Sequence, residues 1–135
     1  MSQENENVEL IRQAYDAFNR QDYETWLREF VDSEVEFIEM ALTLDSETYH
    51  GHSGVKTWMA KGQEAFAGVW FEVEKITVRG DLAVTAVWAH GRGAGSGAEF
   101  RTRIAHAIRL RNGKAVFIAS YSDERQALEA VGLSE

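Results

Sequence analysis

The sequence predicts an α+β fold in which a bent antiparallel sheet wraps around helices. Three observations predict it. Apolar residues recur at helical spacing through the first thirty positions, and the period then changes to two. The element order reads helix, helix, strand, helix, then four strands and a tail helix, so that strands follow helices rather than alternate with them. The longest strand pair, Phe100–Tyr121, turns at Asn112-Gly113, residues that tolerate the positive φ of a tight hairpin.

Taken in order, Val8, Ile11, Tyr15 and Phe18 form the stripe of a first amphipathic helix that breaks near Asn19. Asp22 is an N-cap for a short second helix whose stripe is Tyr23, Trp26, Leu27 and Phe30. From Glu34, Val35, Phe37 and Glu39 share one face of a strand, and Glu36, Ile38 and Met40 the other. The stretch ALTLDSETYHG is less regular and reads as a loop or short hairpin. Ser53 caps a third helix with Val55, Trp58, Met59 and Phe66 on its apolar face, and Gly62 weakens it by ~1 kcal/mol relative to Ala. VWFEVEKITV and LAVTAVWAH are strands around the turn Arg79-Gly80-Asp81, the second of them apolar on both faces. The glycine-rich GRGAGSGA, residues 91–98, leads to the central hairpin. A last helix at about 123–132, capped by Ser122 or Asp123, carries Ala127, Leu128 and Val131 and stops at Gly132.

In the central hairpin Phe100, Thr102, Ile104, His106, Ile108 and Leu110 share one face, and Arg101, Arg103, Arg109 and Arg111 the other. One imidazole thus stands in an apolar row. The return strand has two registers: a two-residue turn places Ala115, Phe117 and Ala119 beside His106, and a three-residue loop places Val116, Ile118 and Ser120 there. Both sets are largely apolar, so both sides of the sheet are expected to be covered.

The totals bound the function. The 135 residues suit one domain, with 44% hydrophobic and 27% charged residues in the ordinary globular range. A net charge of −8 argues against nucleic acid or an anionic membrane as partner, and the arginine stripe reads as a solvated sheet face. There is no cysteine for a disulfide or thiolate metal site, no apolar run of membrane-spanning length, and an N-terminus, MSQENENVEL, unlike a signal peptide. A cytoplasmic protein is expected.

Over nearly its whole length the chain resembles the SnoaL-like, ketosteroid-isomerase-like branch of the nuclear transport factor 2-like superfamily. The resemblance is carried by NVELIRQAYDAFNRQDYETW, DSEVEF, ETYHGHSGV, FEVEKI, RGAGSG, IAHAIRLRNGKAV and YSDERQALEAVGL in that order. It implies a cone of curved sheet and helices, the cystatin-like α+β roll, enclosing one apolar pocket, as a homodimer through the outer sheet face. The family hosts isomerases, cyclases, dehydratases, hydrolases and binding modules, so a fold resemblance names no reaction. It also implies the register with Val116, Ile118 and Ser120 inward, Gly113 as the bulge residue, and Ala115, Phe117, Ala119 and Tyr121 outward with Ala105 and Ala107.

Against the isomerase pattern, the base position falls at Phe37, which takes no proton, the tyrosine position at Ala14 beside Tyr15, and the acid position at His106. Glu39 is the candidate for a displaced base, set against the plainer reading of a strand-end carboxylate exposed at the rim. Ser120 and Ser122 stand where cyclases of the family carry an aspartate. His106, Tyr15 and Glu39 are therefore the candidate catalytic residues, and Trp88, His90, Phe37, Ile104, Ile118, Ser120 and Trp58 the candidate pocket lining. Tyr15 reads first as a core residue with its hydroxyl reaching the cavity, and only second as a catalytic acid. His50 and His52 lack a third metal ligand nearby, and no helix N-terminus follows the glycines at 91, 93, 95 and 97 as a phosphate loop needs, so neither metal nor cofactor is expected. Two functions follow: a binding module for a small hydrophobic ligand, or an acid–base enzyme acting on a hydrophobic ring or polyketide-like substrate through His106. The outward rows Ala83, Thr85, Val87, Ala89 and Ala105, Ala107, Phe117, Ala119 are dry enough to predict the homodimer.

Overall fold

The computed structural model describes residues 2–39 and 47–133. Helix α1 (Gln3–Asn19) is followed by a single helical turn, α2 (Tyr23–Thr25), that runs on as a π-helical segment (Trp26–Phe30). Strands β1 (Val31–Glu39) and β2 (Glu47–His50), helix α3 (Gly51–Ala65), strands β3 (Phe66–Arg79), β4 (Leu82–Gly93), β5 (Glu99–Arg111) and β6 (Lys114–Tyr121), and helix α4 (Glu124–Ala130) complete it. Ser2, Asp22 and Asp123 cap α1, α2 and α4, each accepting a backbone N–H three residues on. Helix α3 begins at Gly51, two residues before the expected Ser53, and Phe66 opens β3 instead of closing that helix. Of the stretch from Ala41 to Gly51, Glu47–His50 pair with β1 as β2, whereas 40–46, with Met40, lie outside the described residues.

The strands form one curled sheet in the order β2-β1-β6-β5-β4-β3. Four of the five pairings are antiparallel, but β1 and β6 run parallel, so the sheet is mixed where an antiparallel one was expected. No hairpin joins those two strands; most of the chain intervenes, and local turn chemistry does not set their direction.

The central hairpin combines features of both anticipated registers. Asn112 (φ 52°) and Gly113 (φ 79°) form a two-residue turn between the partners Arg111 and Lys114. The bulge lies further along, at Val116, because Leu110 pairs with Ala115 and Arg109 with Phe117. Past that point Ile108 faces Ile118 and His106 faces Ser120, as the family resemblance implies. Gly113 is therefore a turn residue and not the bulge, and Ala115, before the bulge, points inward into the main core.

Strand β4 departs from expectation most. Thr85 pairs with His106 and Val87 with Ile104, and directly opposed residues share a face. Ala83, Thr85, Val87 and Ala89 therefore face the helices, and Leu82, Val84, Ala86, Trp88 and His90 face outward. The outer residues Val84, Ala105, Ala107 and Phe117 are covered by α4 through Ala127 and Leu128. The rows expected to form a dry outer face thus do not: Ala83, Thr85, Val87 and Ala89 point inward, and Ala105, Ala107, Phe117 and Ala119 are covered or buried.

Helix α1 lies across the inner face, tied to the β3–β4 turn at one end and to β3 at the other. The Glu4 carboxylate accepts the Gly80 N–H (2.9 Å) and Asn7 donates to the Gly80 carbonyl (3.1 Å). Asn19 accepts the Phe71 N–H (2.9 Å) and donates to the Phe71 carbonyl (2.7 Å), taking the place of a neighbouring strand. Since a lost partner costs a part-buried polar group about 1–3 kcal/mol, Asn19→Ala should lower stability by that amount in urea unfolding. An unchanged midpoint would show that these two bonds do not hold α1 on the sheet.

Candidate functional site

The register places one polar row across the inner face of four adjacent strands. Glu39 on β1 is opposite Ser120 on β6, Ser120 is opposite His106 on β5, and His106 is opposite Thr85 on β4. Above the row, Tyr15 of α1 brings its hydroxyl to 2.6 Å from His106 Nδ1 and 2.5 Å from Thr85 Oγ1. Phe71 stands edge-on to the His106 ring at 5.1 Å between centroids.

A cavity of about 80 Å³ opens over this row, lined by Tyr15, His106, Ser120 and Glu39 together with Phe37, Ile104, Ile118 and Trp58. A second cavity of about 330 Å³ lies toward α3 and the start of β3, with Tyr23, Glu47, Tyr49 and Lys61 in its wall. Phe18, Glu39, Trp58 and Phe71 line both. At the outer cavity Lys61 Nζ and the Tyr49 hydroxyl both donate to Glu47 at 2.9 Å, and each bond pulls the Glu47 carboxyl below its usual range.

Burial decides the charge state of the inner cavity. It holds the His106 pKa down to about 4, so the ring is neutral at physiological pH. It also pushes the Tyr15 phenol well above its ordinary value, partly offset by the Thr85 bond. Tyr15 has one proton for two partners. If it donates to Nδ1, Thr85 donates to Tyr15, and His106 carries its proton on Nε2. If Nδ1–H donates to Tyr15, Tyr15 donates to Thr85, and Nε2 becomes an acceptor. Nε2 has no other hydrogen bond among the described residues, so the ring can meet either a carbonyl or a hydroxyl.

Ser120 is 2% exposed, and its Oγ has no hydrogen-bond partner among the described residues. An unpaired buried hydroxyl costs about 1–3 kcal/mol, so Ser120→Ala should leave the protein equally stable or raise its melting temperature. A marked fall in melting temperature would mean that Ser120 serves the fold.

His106, Tyr15, Glu39, Phe37, Ile104, Ile118, Ser120 and Trp58 are thus brought together around one cavity. Glu39 is 3% exposed, at the inner wall and not the rim. Trp88 and His90 are not at the site. They project from the convex face, since Trp88 pairs with Arg103 and His90 with Arg101. There the Arg101 guanidinium lies 3.7 Å from the Trp88 ring centroid, and His90 stacks on Trp70 at 4.1 Å while meeting Glu72 at 3.0 Å. His52 Nε2–H donates to the Val31 carbonyl (2.7 Å), a structural bond. The sequence alone assigns Thr85 to the outward row, away from the site that its pairing with His106 gives it. A lone hydroxyl in an alanine–valine strand was the signal, and only its pairing with His106 gives it a side.

A curled sheet closed by helices over an internal cavity is the nuclear transport factor 2-like architecture. Within that superfamily the chain belongs to the SnoaL-like domain family, which it matches over residues 11–118. Solved structures agree on the fold. A protein of unknown function from Burkholderia pseudomallei is similar at 20% identity, with 96% of this chain and 97% of that one covered and a TM-score of 0.78. TerC, co-crystallised with polyporic acid, is similar at 22% identity, covering 93% and 98%, with a TM-score of 0.76. A protein of ketosteroid isomerase-like fold from Catenulispora acidiphila, in complex with trimethylamine, is similar at 17% identity, covering 93% and 94%, with a TM-score of 0.73. No curated protein matches the chain by sequence. Among the described residues no helix is long and apolar enough to cross a membrane.

Proposed function

We propose that this SnoaL-like protein binds a small, largely apolar molecule, holding one oxygen of it between His106 and Ser120. The observation that carries this reading is the Ser120 hydroxyl, without a hydrogen-bond partner among the described residues, beside a neutral imidazole in the wall of a largely aromatic and aliphatic cavity. Apolar cavities with a few convergent polar groups are the usual form of small-molecule sites. The small organic molecules co-crystallised with TerC and the Catenulispora protein support it by analogy of fold. Native mass spectrometry of protein purified under gentle conditions should find a small organic molecule on the chain that His106→Ala fails to retain. Equal retention by His106→Ala would defeat the reading.

One observation favours a second reading, acid–base catalysis. Glu39, a carboxyl group, shares the cavity with His106 and Tyr15, so a proton donor and a proton acceptor face the same space. In deuterated water an enzyme of this kind would exchange the α-protons of a bound ketone, visible by proton NMR, and a Glu39→Gln variant would not. No exchange above the buffer rate leaves the binding reading alone.

The homodimer is proposed on revised grounds. With α4 over part of the outer face, the β3–β5 strip of Trp70, Trp88, His90, Arg101 and Arg103 lies beside it, and there Trp70 is 44% exposed. A dimer through this strip should fall apart in Trp70→Glu, read by light scattering at micromolar concentration. A monomeric native protein would refute it.

A further inference from the structure

The protons of Thr85, Tyr15 and the neutral His106 ring are shared along one chain of hydrogen bonds, and the surroundings of Thr85 decide how. Thr85 is 0% exposed and lines neither the inner nor the outer cavity, so a molecule bound there does not reach its hydroxyl. Its neighbours along the inner row of β4, Ala83, Val87 and Ala89, carry no acceptor. Among the described residues the Tyr15 oxygen, at 2.5 Å, is the one hydrogen-bond partner of that hydroxyl. Both arrangements of the chain make two hydrogen bonds, and they differ in what is left over. With Nδ1–H donating to Tyr15 and Tyr15 to Thr85, the Thr85 proton is stranded in the core. With Thr85 donating to Tyr15 and Tyr15 to Nδ1 at 2.6 Å, Thr85 keeps only unused lone pairs, and the last proton sits on Nε2 of a ring that lines the cavity. A buried donor without an acceptor is the rarer and costlier defect, which selects the second arrangement. Ser120 adds a further proton, because its buried Oγ has no partner among the described residues and it is opposite His106 in the sheet. A carbonyl oxygen has two lone pairs and no proton, and accepts from Nε2–H and Ser120 together. A hydroxyl brings a proton of its own, and between these two groups one of the three protons is then left over.

We propose that Tyr15 is a positioning residue that fixes His106 as the Nε2–H tautomer, so that the inner cavity presents two hydrogen-bond donors, Nε2–H and the Ser120 hydroxyl, to the oxygen of a carbonyl compound. The proposal rests on the binding reading above and narrows its ligand from any oxygen-bearing molecule to ketones and related carbonyl compounds.

The tautomer is read without any ligand, by proton–nitrogen correlation NMR of the imidazole rings in protein carrying isotope-labelled histidine at neutral pH. The His106 signals are assigned by their loss in His106→Asn. In the native protein Nε2 should show the shift of a protonated ring nitrogen and Nδ1 that of a bare one. Thr85→Val removes the other acceptor of the Tyr15 proton and should keep that pattern. Tyr15→Phe, in which Tyr15 no longer donates to Nδ1, should show a mixture of the two forms, a change that a merely structural Tyr15 would not produce. Should Tyr15→Phe not fold, the double variant Tyr15→Phe/Thr85→Val, which leaves no hydroxyl stranded, takes its place. Nδ1–H in the native protein, or an unchanged pattern without Tyr15, would overturn the assignment and leave the binding reading standing. The ligand class is tested by calorimetric titration of 2-acetylnaphthalene and its alcohol, 1-(2-naphthyl)ethanol, into the native protein. The ketone should bind about fivefold tighter or more, the low end of what a stranded buried proton costs. An alcohol as tight as the ketone would overturn the carbonyl preference, its proton having found another acceptor in the lining. If neither binds, the binding reading falls and the carbonyl preference with it.

Discussion

Acidification from pH 7 to pH 4 should cost the native protein on the order of 3 kcal/mol of stability that a His106→Asn variant does not lose. The folded state holds the His106 pKa down to about 4 by burial, against an ordinary value of 6.5. Between those values the unfolded chain binds a proton that the folded chain refuses, so the unfolded state gains as pH falls. The contribution is fully present above pH 6.5 and is lost as pH drops through the window to about 4. Other groups add their own acid sensitivity, and the difference between the two proteins isolates the imidazole. Urea unfolding at several pH values measures it. Parallel stability curves would mean that His106 is as readily protonated in the fold as out of it, and the neutral cavity would have to be abandoned.

Phe71→Ala should lower stability by about 3–5 kcal/mol, the cost of deleting a buried ring and leaving a void. Phe71 is placed to have that effect. Its ring meets Phe18 at 5.2 Å, His106 at 5.1 Å and Tyr15 at 6.0 Å, joining α1 to the sheet above the polar row. It also stands in the wall of both cavities, so its loss merges them and loosens His106. Phe71→Leu keeps most of the volume and should cost about 1–1.5 kcal/mol. Equal, small losses for both variants would show that the wall between the cavities already yields without the ring.

Much of this was legible because it is local. The stripe of Val8, Ile11, Tyr15 and Phe18 needs only the helical period, and Asn112-Gly113 announces its turn by its own backbone preferences. His106 stands out in the sequence as a lone imidazole in an apolar row, and Tyr15 as a hydroxyl on the buried stripe of the first helix. What was not legible depends on which strand lies beside which. Strand β4 is alanine and valine on both faces, so its parity could not be read until Thr85 was seen opposite His106, and a slip of one residue exchanges Thr85 with the outward Trp88 side. Burial of Glu39 follows from the parallel pairing with β6, a contact some eighty residues away in sequence. The bulge at Val116 carries no glycine to mark it, so the inward side of Ala115 has no signal in the sequence.

The most direct test of the account is a crystal structure of the protein soaked with 2-acetylnaphthalene. The account predicts the ring against Trp58 and Phe71 in the cavity wall, with the ketone oxygen within hydrogen-bonding distance of Ser120 Oγ or His106 Nε2. A ring lodged on the convex face beside Trp70 and Trp88, or a ketone turned outward to Lys61, would contradict it.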